Sequence, residues 1–261
     1  MAFSGTVRHG GGTIAYGCAG AGAPVVFIHG FGLDRRMWTP QVADLAATHR
    51  VVRYDCRGFG RSSCPVGPYN HADDLRVLLD RLGVVQPHLV GSSMGGRVAL
   101  AYAARWPTEV ASLVLLGTDV GGYRFRIGWD VRLGPGGLDG ARADWLRHPI
   151  FATARTDPVV WALIRQMVAA YSGWHWQHED VREPTDADTV NRLADIRTPT
   201  TVVVGERDLP DFHRIARLLV RRLPRARAVT VPRAGHLVNL EAADACAGIV
   251  RRHLETLSST G

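Results

Sequence analysis

The sequence predicts an α/β protein whose sheet is mostly parallel and doubly wound. Three observations predict this class: short apolar runs alternate with helical patterns, the runs are apolar nearly throughout, and 261 residues suffice for one domain with an insertion. Runs that are apolar on both sides suit strands covered by helices on both faces of a sheet. In such a fold, functional side chains lie beyond the carboxyl ends of the strands.

The strands follow from these runs in chain order. Residues 5–17 predict an antiparallel hairpin with its turn at Gly10 to Gly12. Six further strands are predicted at residues 24–30, 50–55, 88–92, 111–117, 200–206 and 226–231. Helical patterns lie between them, for example at residues 72–83 and 95–106. Strands and helices thus alternate along most of the chain, as a parallel sheet requires.

One segment, residues 120–190, has no strand-like run and is rich in aromatic side chains. We interpret it as a helical cap inserted into a core made of residues 1–119 and 191–261. Five of the seven tryptophans lie there, and they either fill the small core of the cap or line an apolar pocket, which we favour. The predicted pocket residues are Trp38, Trp129, Trp145, Trp161, Trp174 and Trp176.

The charge composition argues against several classes of function. The formal net charge is +7, yet the chain contains no lysine, and all 31 basic residues are arginine. The absence of lysine excludes a Schiff-base lysine and the lysine of a phosphate-binding P-loop. Arg214, Arg217 and Arg221 recur at helical spacing, which predicts the solvated face of an amphipathic helix. We therefore expect no nucleic-acid partner.

Cysteine spacing and hydropathy indicate the cellular setting. The four cysteines, Cys18, Cys56, Cys64 and Cys246, form no C-x-x-C pair and are expected to be free thiols. No apolar run approaches the roughly 20 residues that cross a bilayer, and the first residues lack the pattern of a signal peptide. We expect a cytoplasmic protein without a membrane partner, and the sequence leaves a homodimer open.

The residues 91–95, Gly-Ser-Ser-Met-Gly, lie between a predicted strand and a predicted helix. They match the G-x-S-x-G pattern of a nucleophile elbow, in which a strained turn holds the central serine outward. Ser93 fits this register. For Ser92 to be the central serine, positions 90 and 94 would have to be glycine, but they are Val90 and Met94. Ser93 is therefore the candidate nucleophile, and an ordinary glycine-rich turn is the alternative.

A serine nucleophile needs a base, and the base needs an orienting acid. Asp208 follows the strand predicted at 200–206, and His236 follows the next strand, so both lie at the same sheet edge as Ser93. The chain order Ser, Asp, His is the order expected for such an elbow. Asp119, which follows the strand at 111–117, competes with Asp208 as the acid.

An acyl-transfer site also needs two N–H donors for the oxyanion. We predict the backbone N–H of Met94, directly after the nucleophile, and that of Phe31, in the loop after the strand at 24–30. His29 is expected to be structural and to hold this loop through hydrogen bonds.

Two other polar groups have structural interpretations. Asp55 is expected to form ion pairs with Arg57 and Arg61 as a loop scaffold. The segment 174–180 contains two histidines three residues apart, whereas a zinc-binding helix typically spaces them by four. We therefore expect no metal at the cluster of His175, His178, Glu179 and Asp180.

Five segments resemble successive signature loops of the α/β-hydrolase family, in its cap-bearing branch of small esterases and lactonases. They are HGFGLDRRMW, RYDCRGFGRSS, GSSMGGRVAL, GERDLPDF and AGHLVNLE, spread over most of the chain. The resemblance implies that Ser93, His236 and Asp208 form a triad that cleaves a small ester or enol-lactone through an acyl-enzyme, without a cofactor. The segment GERDLPDF, which contains Asp208, is part of this resemblance, and it therefore favours Asp208 over Asp119 as the acid of the triad.

Two other classes of function remain open on the sequence. The same site can run carbon–carbon bond hydrolysis or a non-hydrolytic lyase, ring-forming or perhydrolase reaction. Relatives that cleave carbon–carbon bonds often have Asn before the nucleophile and Trp after the histidine, where this chain has Ser92 and Leu237. Some members of the fold are non-catalytic receptors for small molecules. A receptor function for this chain rests only on analogy with those members.

Overall fold

A computed structural model describes residues 2–126, 128, 133–178, 186 and 188–258 of the chain. Its strands are β1 (Ala2–His9), β2 (Gly12–Ala19), β3 (Pro24–Ile28), β4 (Arg50–Tyr54), β5 (His88–Ser92), β6 (Ser112–Leu116), β7 (Thr200–Gly205) and β8 (Ala226–Val231). These strands form one sheet in the order β1-β2-β4-β3-β5-β6-β7-β8. The β1–β2 hairpin joins β4 in antiparallel fashion, and all strands from β3 to β8 run parallel. The predicted fold class is confirmed.

Burial along the sheet differs from the sequence expectation at its edges. Every residue of β6 and β7 is buried, as predicted for strands covered on both faces. In β8, by contrast, Arg227, Ala228 and Thr230 are exposed, and most of β1 is exposed as well. The reason is position, because β1 and β8 are the two edge strands of the sheet.

The helices connect the strands and pack against them. The helix α2 shows why a given stretch becomes helical: Asn70 Oδ1 accepts hydrogen bonds from the N–H groups of Ala72 and Asp73, and Gly83 ends the helix with a left-handed φ of 59°. The α-helices are α1 (Thr39–Leu45), α2 (His71–Leu82), α3 (Met94–Arg105), α4 (Gly137–Arg147), α5 (Pro158–Ala170), α6 (Trp174–Gln177), α7 (Pro210–Arg222), α8 (Val238–Glu241) and α9 (Ala243–Ser258).

The described residues between β6 and β7 form α4, α5, α6 and short 3₁₀ segments, without a strand. This agrees with the helical character predicted for residues 120–190, while the division into a core and a cap stays a prediction. The amphipathic helix predicted around Arg214 is α7, which buries Phe212, Ile215 and Leu219. In the part of the chain that the structure describes, no helix is both long and apolar enough to cross a membrane.

Candidate active site

Ser93 lies in the sharp turn between β5 and α3, at the centre of the sheet. Its backbone has φ 54° and ψ −117°, a conformation that non-glycine residues rarely adopt. The turn is held by the Ser93 N–H, which donates to the Leu116 carbonyl at 2.9 Å, and by the Ser93 carbonyl, which accepts from the N–H of Gly96 at 3.0 Å. This is the geometry of a nucleophile elbow.

Three glycines let neighbouring elements approach this turn closely. A Cβ atom at Gly95 would lie 2.7 Å from the carbonyl oxygen of His29, and one at Gly91 would lie 2.6 Å from the nitrogen of Gly96. At Gly96 it would lie 2.6 Å from the Cβ of Thr118. Each glycine therefore accommodates a different neighbour, which explains why the turn is so rich in this residue.

His236 and Asp208 form a buried pair on the loops that follow β8 and β7. Nδ1 of His236 lies 3.1 and 3.2 Å from the two carboxylate oxygens of Asp208. An ionised carboxylate can only accept, so we assign the hydrogen to Nδ1, which leaves Nε2 as the basic nitrogen. Among the described residues, Nε2 has no hydrogen-bond partner.

The end of β6 links this pair to the serine. Leu116 holds the Ser93 N–H, and the next residue, Gly117, packs directly against the pair. A Cβ atom at Gly117 would lie 3.0 Å from Nδ1 of His236 and 3.1 Å from Oδ2 of Asp208. Gly117 also has a left-handed φ of 47°. The three candidate residues therefore follow β5, β7 and β8 at one edge of the sheet.

Glu241 holds the loop that carries His236, a role that the sequence did not indicate. Its carboxylate accepts from the backbone N–H of Gly235 and, at 3.2 Å, from that of Leu237, the residues on either side of the histidine. Burial raises the pKa of Glu241, although both hydrogen bonds oppose this. In the sequence, this role is indicated only by the closeness of Glu241 to His236, since Glu241 ends the short helix that follows the histidine.

The loop after β3 lies beside the serine, as predicted for Phe31. A Cβ atom at Gly30 would lie 3.5 Å from the Cβ of Ser93. In the described chain, the hydrogen bonds of the turns, loops and helix caps include none that is donated by the backbone N–H of Phe31 or of Met94. His29 holds the loop: it contacts the Gly30 carbonyl through Nδ1 and accepts from the Cys56 N–H through Nε2, both at 2.8 Å.

A cavity of about 270 Å³ opens at Ser93. Half of its lining residues are aromatic, and the lining also includes an arginine and an aspartate. Two other pockets are larger, at about 400 and 360 Å³, and the described residues that line them are different from those that line this cavity. The cavity is lined by Phe31, Ser93, Met94, Arg97, Asp119, Phe125, Trp145 and Phe212.

Arg97 and Asp119 form the polar end of the cavity, and Arg97 also pairs with Asp186, which is not among the lining residues. Asp119 thus binds an arginine: its Oδ2 lies 3.3 Å from Nη1 of Arg97. Burial raises the pKa of Asp119. The sequence offered Asp119 as a competing acid for the histidine, and the structure pairs the histidine with Asp208 instead.

Most of the predicted pocket tryptophans do not reach the cavity. Among the described residues, Trp145 lines it, whereas Trp38, Trp161, Trp174 and Trp176 are not among the lining residues; Trp129 lies outside the described residues. Trp38 is fully buried, with its ring stacked 4.7 Å from that of Phe27 in β3. Trp161, Trp174 and Trp176 pack against aromatic or arginine side chains of their own segment or of the core.

Two smaller expectations are also resolved. Asp55 pairs with Arg35, at 2.6 Å, and accepts the backbone N–H of Arg61, whereas Arg57 pairs with Asp74. The expected partner of Asp55 was therefore wrong, since a residue 20 positions away supplies the cation. All four cysteines are free, as predicted.

The histidines of segment 174–180 have partners other than a metal. His175 contacts the hydroxyl groups of Tyr69 and Tyr171, at 2.9 and 2.8 Å. His178 stacks on Trp174, with ring centroids 5.0 Å apart. Glu179 and Asp180 lie outside the described residues.

The fold and these segments agree with comparisons to known proteins. The sequence model of the alpha/beta hydrolase fold family matches residues 23–243. The chain therefore belongs to the α/β-hydrolase family. RutD of Azorhizobium caulinodans, which carries a provisional name as a carbamate hydrolase, is 31% identical over 241 residues, which are 87% of this chain and 90% of that protein.

Two further relatives show the range of chemistry in the family. The 2-hydroxymuconate semialdehyde hydrolase of a Pseudomonas strain is 36% identical over 157 residues, which are 58% of this chain and 51% of that protein. The crystal structure of the enol-lactonase from Burkholderia xenovorans has a TM-score of 0.75 and 28% identity, and the match covers 96% of this chain and 100% of that one. Hydrolysis is common to these names, whereas the bond cleaved differs among them.

Proposed function

We propose that this protein is a serine hydrolase that cleaves a carboxylic ester or lactone of a small, largely apolar substrate. The observation that carries the proposal is the buried His236–Asp208 pair, which lies at the same sheet edge as the strained Ser93 and packs against Phe212, a residue that lines the cavity at Ser93. A histidine oriented by a carboxylate and a serine held outward are the two parts that a weak hydroxyl nucleophile needs.

In the proposed reaction, Ser93 Oγ attacks the carbonyl carbon of the substrate while Nε2 of His236 takes the hydroxyl proton. Asp208 stabilises the imidazolium that forms. The N–H groups of Phe31 and Met94 stabilise the oxyanion of the tetrahedral intermediate. When the intermediate collapses, the imidazolium returns its proton to the leaving alkoxide, and Ser93 keeps the acyl group as an ester.

The second half of the reaction repeats these steps with water. Nε2 of His236 takes a proton from a water molecule, whose oxygen attacks the acyl-enzyme carbonyl. The second tetrahedral intermediate then releases the acid and restores the hydroxyl of Ser93. No cofactor takes part in this sequence of steps.

Carbon–carbon bond hydrolysis is the second candidate, because of the similarity to 2-hydroxymuconate semialdehyde hydrolase. The first candidate is favoured by the aromatic wall of Phe31, Phe125, Trp145 and Phe212, which suits an apolar acyl group.

Labelling with a neutral alkyl fluorophosphonate tests the proposal. Intact-mass spectrometry with peptide mapping should find one adduct, on Ser93, because only an activated serine reacts readily. Ser93→Ala should give no adduct and lower kcat for 4-nitrophenyl esters by about 10⁴- to 10⁶-fold.

The adjacent Ser92, buried and outside the proposed reaction, supplies the matched control. Ser92→Ala should still take up one label. An adduct elsewhere, or undiminished turnover in Ser93→Ala, would refute the proposed function.

A further inference from the structure

Among the described residues, the charged groups at the polar end of the cavity are Arg97 and Asp119, together with Asp186, the second partner of Arg97. Arg97 donates from Nε and Nη2 to the two carboxylate oxygens of Asp186, at 2.6 and 3.1 Å, and its Nη1 lies 3.3 Å from Asp119. Burial opposes the charge of Arg97, but these two aspartates raise its pKa, so the guanidinium stays protonated. One cation thus faces two carboxylates.

Asp119 also has unused capacity to accept hydrogen bonds. A carboxylate offers about four acceptor positions. In the described chain, Oδ1 of Asp119 accepts from the N–H of Val120, at 2.6 Å, and Oδ2 accepts the long bond from Arg97. The Asp119 side chain is 18% exposed and lines the same cavity as Ser93.

We infer that the polar end selects acyl groups that present an N–H or O–H donor to Asp119 and rejects acyl groups that carry a carboxylate. This deepens the proposed function and rests on it. A substrate carboxylate here would meet the Asp119 carboxylate and an arginine that Asp119 and Asp186 already neutralise. Like charges close together in a partly buried site are strongly disfavoured. An amide N–H instead gains the carboxyl oxygens of Asp119 as acceptors.

Three 4-nitrophenyl esters of nearly equal shape separate charge from hydrogen bonding. They are the adipamate, with a terminal amide; the 6-oxoheptanoate, with a methyl ketone; and the hydrogen adipate, with a carboxylate. The value of kcat/KM should fall in that order, with the hydrogen adipate about 100-fold below the adipamate. Equal values for these two esters, or a preference for the carboxylate, would overturn the inference.

Asp119→Asn tests whether this side chain causes the discrimination. The substitution removes one negative charge and should raise the ratio of kcat/KM for hydrogen adipate over adipamate by about tenfold. Asp139→Asn is the matched control, since the Asp139 side chain on α4 is 94% exposed, and it should leave the ratio as in the original chain. An unchanged ratio in Asp119→Asn would also overturn the inference.

Calorimetry with uncleavable anilides separates this inference from the proposed function. N-phenyladipamide should bind more tightly than adipanilic acid, whether or not the protein turns over any ester. Equal affinities would overturn the inference even if Ser93 takes up the fluorophosphonate. If no ester is cleaved and Ser93 takes up no label, the proposed function fails, while the ranking of the two anilides still decides the selectivity.

Discussion

At the scale of single residues, two aspartates that follow neighbouring strands have different partners. Asp208, after β7, contacts His236, whereas Asp119, after β6, contacts Arg97. A carboxylate orients an imidazole only if it touches the ring. The contacts therefore favour Asp208 as the acid of the proposed triad and leave Asp119 free to contact the substrate.

We predict that Asp208→Asn and Asp119→Asn differ sharply in rate on a small neutral ester such as 4-nitrophenyl acetate. Loss of the Asp208 carboxylate should lower kcat by about 10⁴-fold, because the imidazole then takes the wrong tautomer. Asp119→Asn should lower it by less than about tenfold, since that side chain does not touch His236. Steady-state kinetics on both variants, with folding checked by circular dichroism, measures the difference. The reverse order would move the acid to the end of β6.

At the scale of elements, the turn from β5 into α3 depends on close backbone contacts. Gly95 faces the carbonyl groups of Ile28 and His29 at the end of β3, which are main-chain atoms and cannot rotate away as a side chain could. Gly140, in α4, has no described residue within 4 Å of the position of a Cβ atom. The two glycines differ in surroundings and therefore provide a matched pair.

We predict opposite effects when each of these glycines becomes alanine. Gly95→Ala should lower the free energy of unfolding by about 1–3 kcal/mol, because β3 and α3 must move apart. Gly140→Ala should raise it by about 0.5–1 kcal/mol, since alanine favours a helix and no contact is strained. Urea unfolding curves measure both. If Gly95→Ala is as stable as the original chain, the elbow is not packed in the way described.

Elements built from local pattern were predictable, and contacts between distant segments were not. The strand predicted at 226–231 matches β8 to the residue, and the predicted position of Ser93 after β5 is correct, because apolar runs and glycine patterns are local signals. The Arg97–Asp186 pair joins residues 89 positions apart, and no local pattern indicates it. The position of Trp38 just past the loop after β3 likewise did not reveal which way its side chain faces, and it lies in the core.

At the scale of the whole molecule, aromatic contacts join the segment between β6 and β7 to the rest of the chain. His175 stacks on Phe59 with ring centroids 4.5 Å apart and contacts the hydroxyl of Tyr69. The ring of Trp145 packs edge-on against Phe31, 5.5 Å between centroids. The segment that contributes Phe125 and Trp145 to the cavity is thus packed directly against the loop whose N–H is proposed to bind the oxyanion.

The stability of the whole fold should depend on pH through a buried histidine. His253, on α9, is 3% exposed, and its Nδ1 lies 2.8 Å from the Thr201 hydroxyl in β7. Burial lowers its pKa from 6.5 to about 4. Between these values the unfolded chain binds a proton on this side chain and the folded chain does not. Stability is therefore lost as the pH falls from about 6.5 towards 4, by at most about 3 kcal/mol.

We predict that His253→Gln, which cannot take up this proton, makes the acid loss of stability less steep. A change of 1 kcal/mol shifts Tm by about 2–4 °C in a chain of this size, so the fall in Tm between pH 7 and 4.5 should shrink by several degrees. Calorimetric melting of both proteins at half-unit steps of pH measures it, and the two curves should run parallel above pH 7.5, where both side chains are neutral. Curves that also stay parallel down to pH 4.5 would show that His253 gains its proton in the folded state as easily as in the unfolded chain.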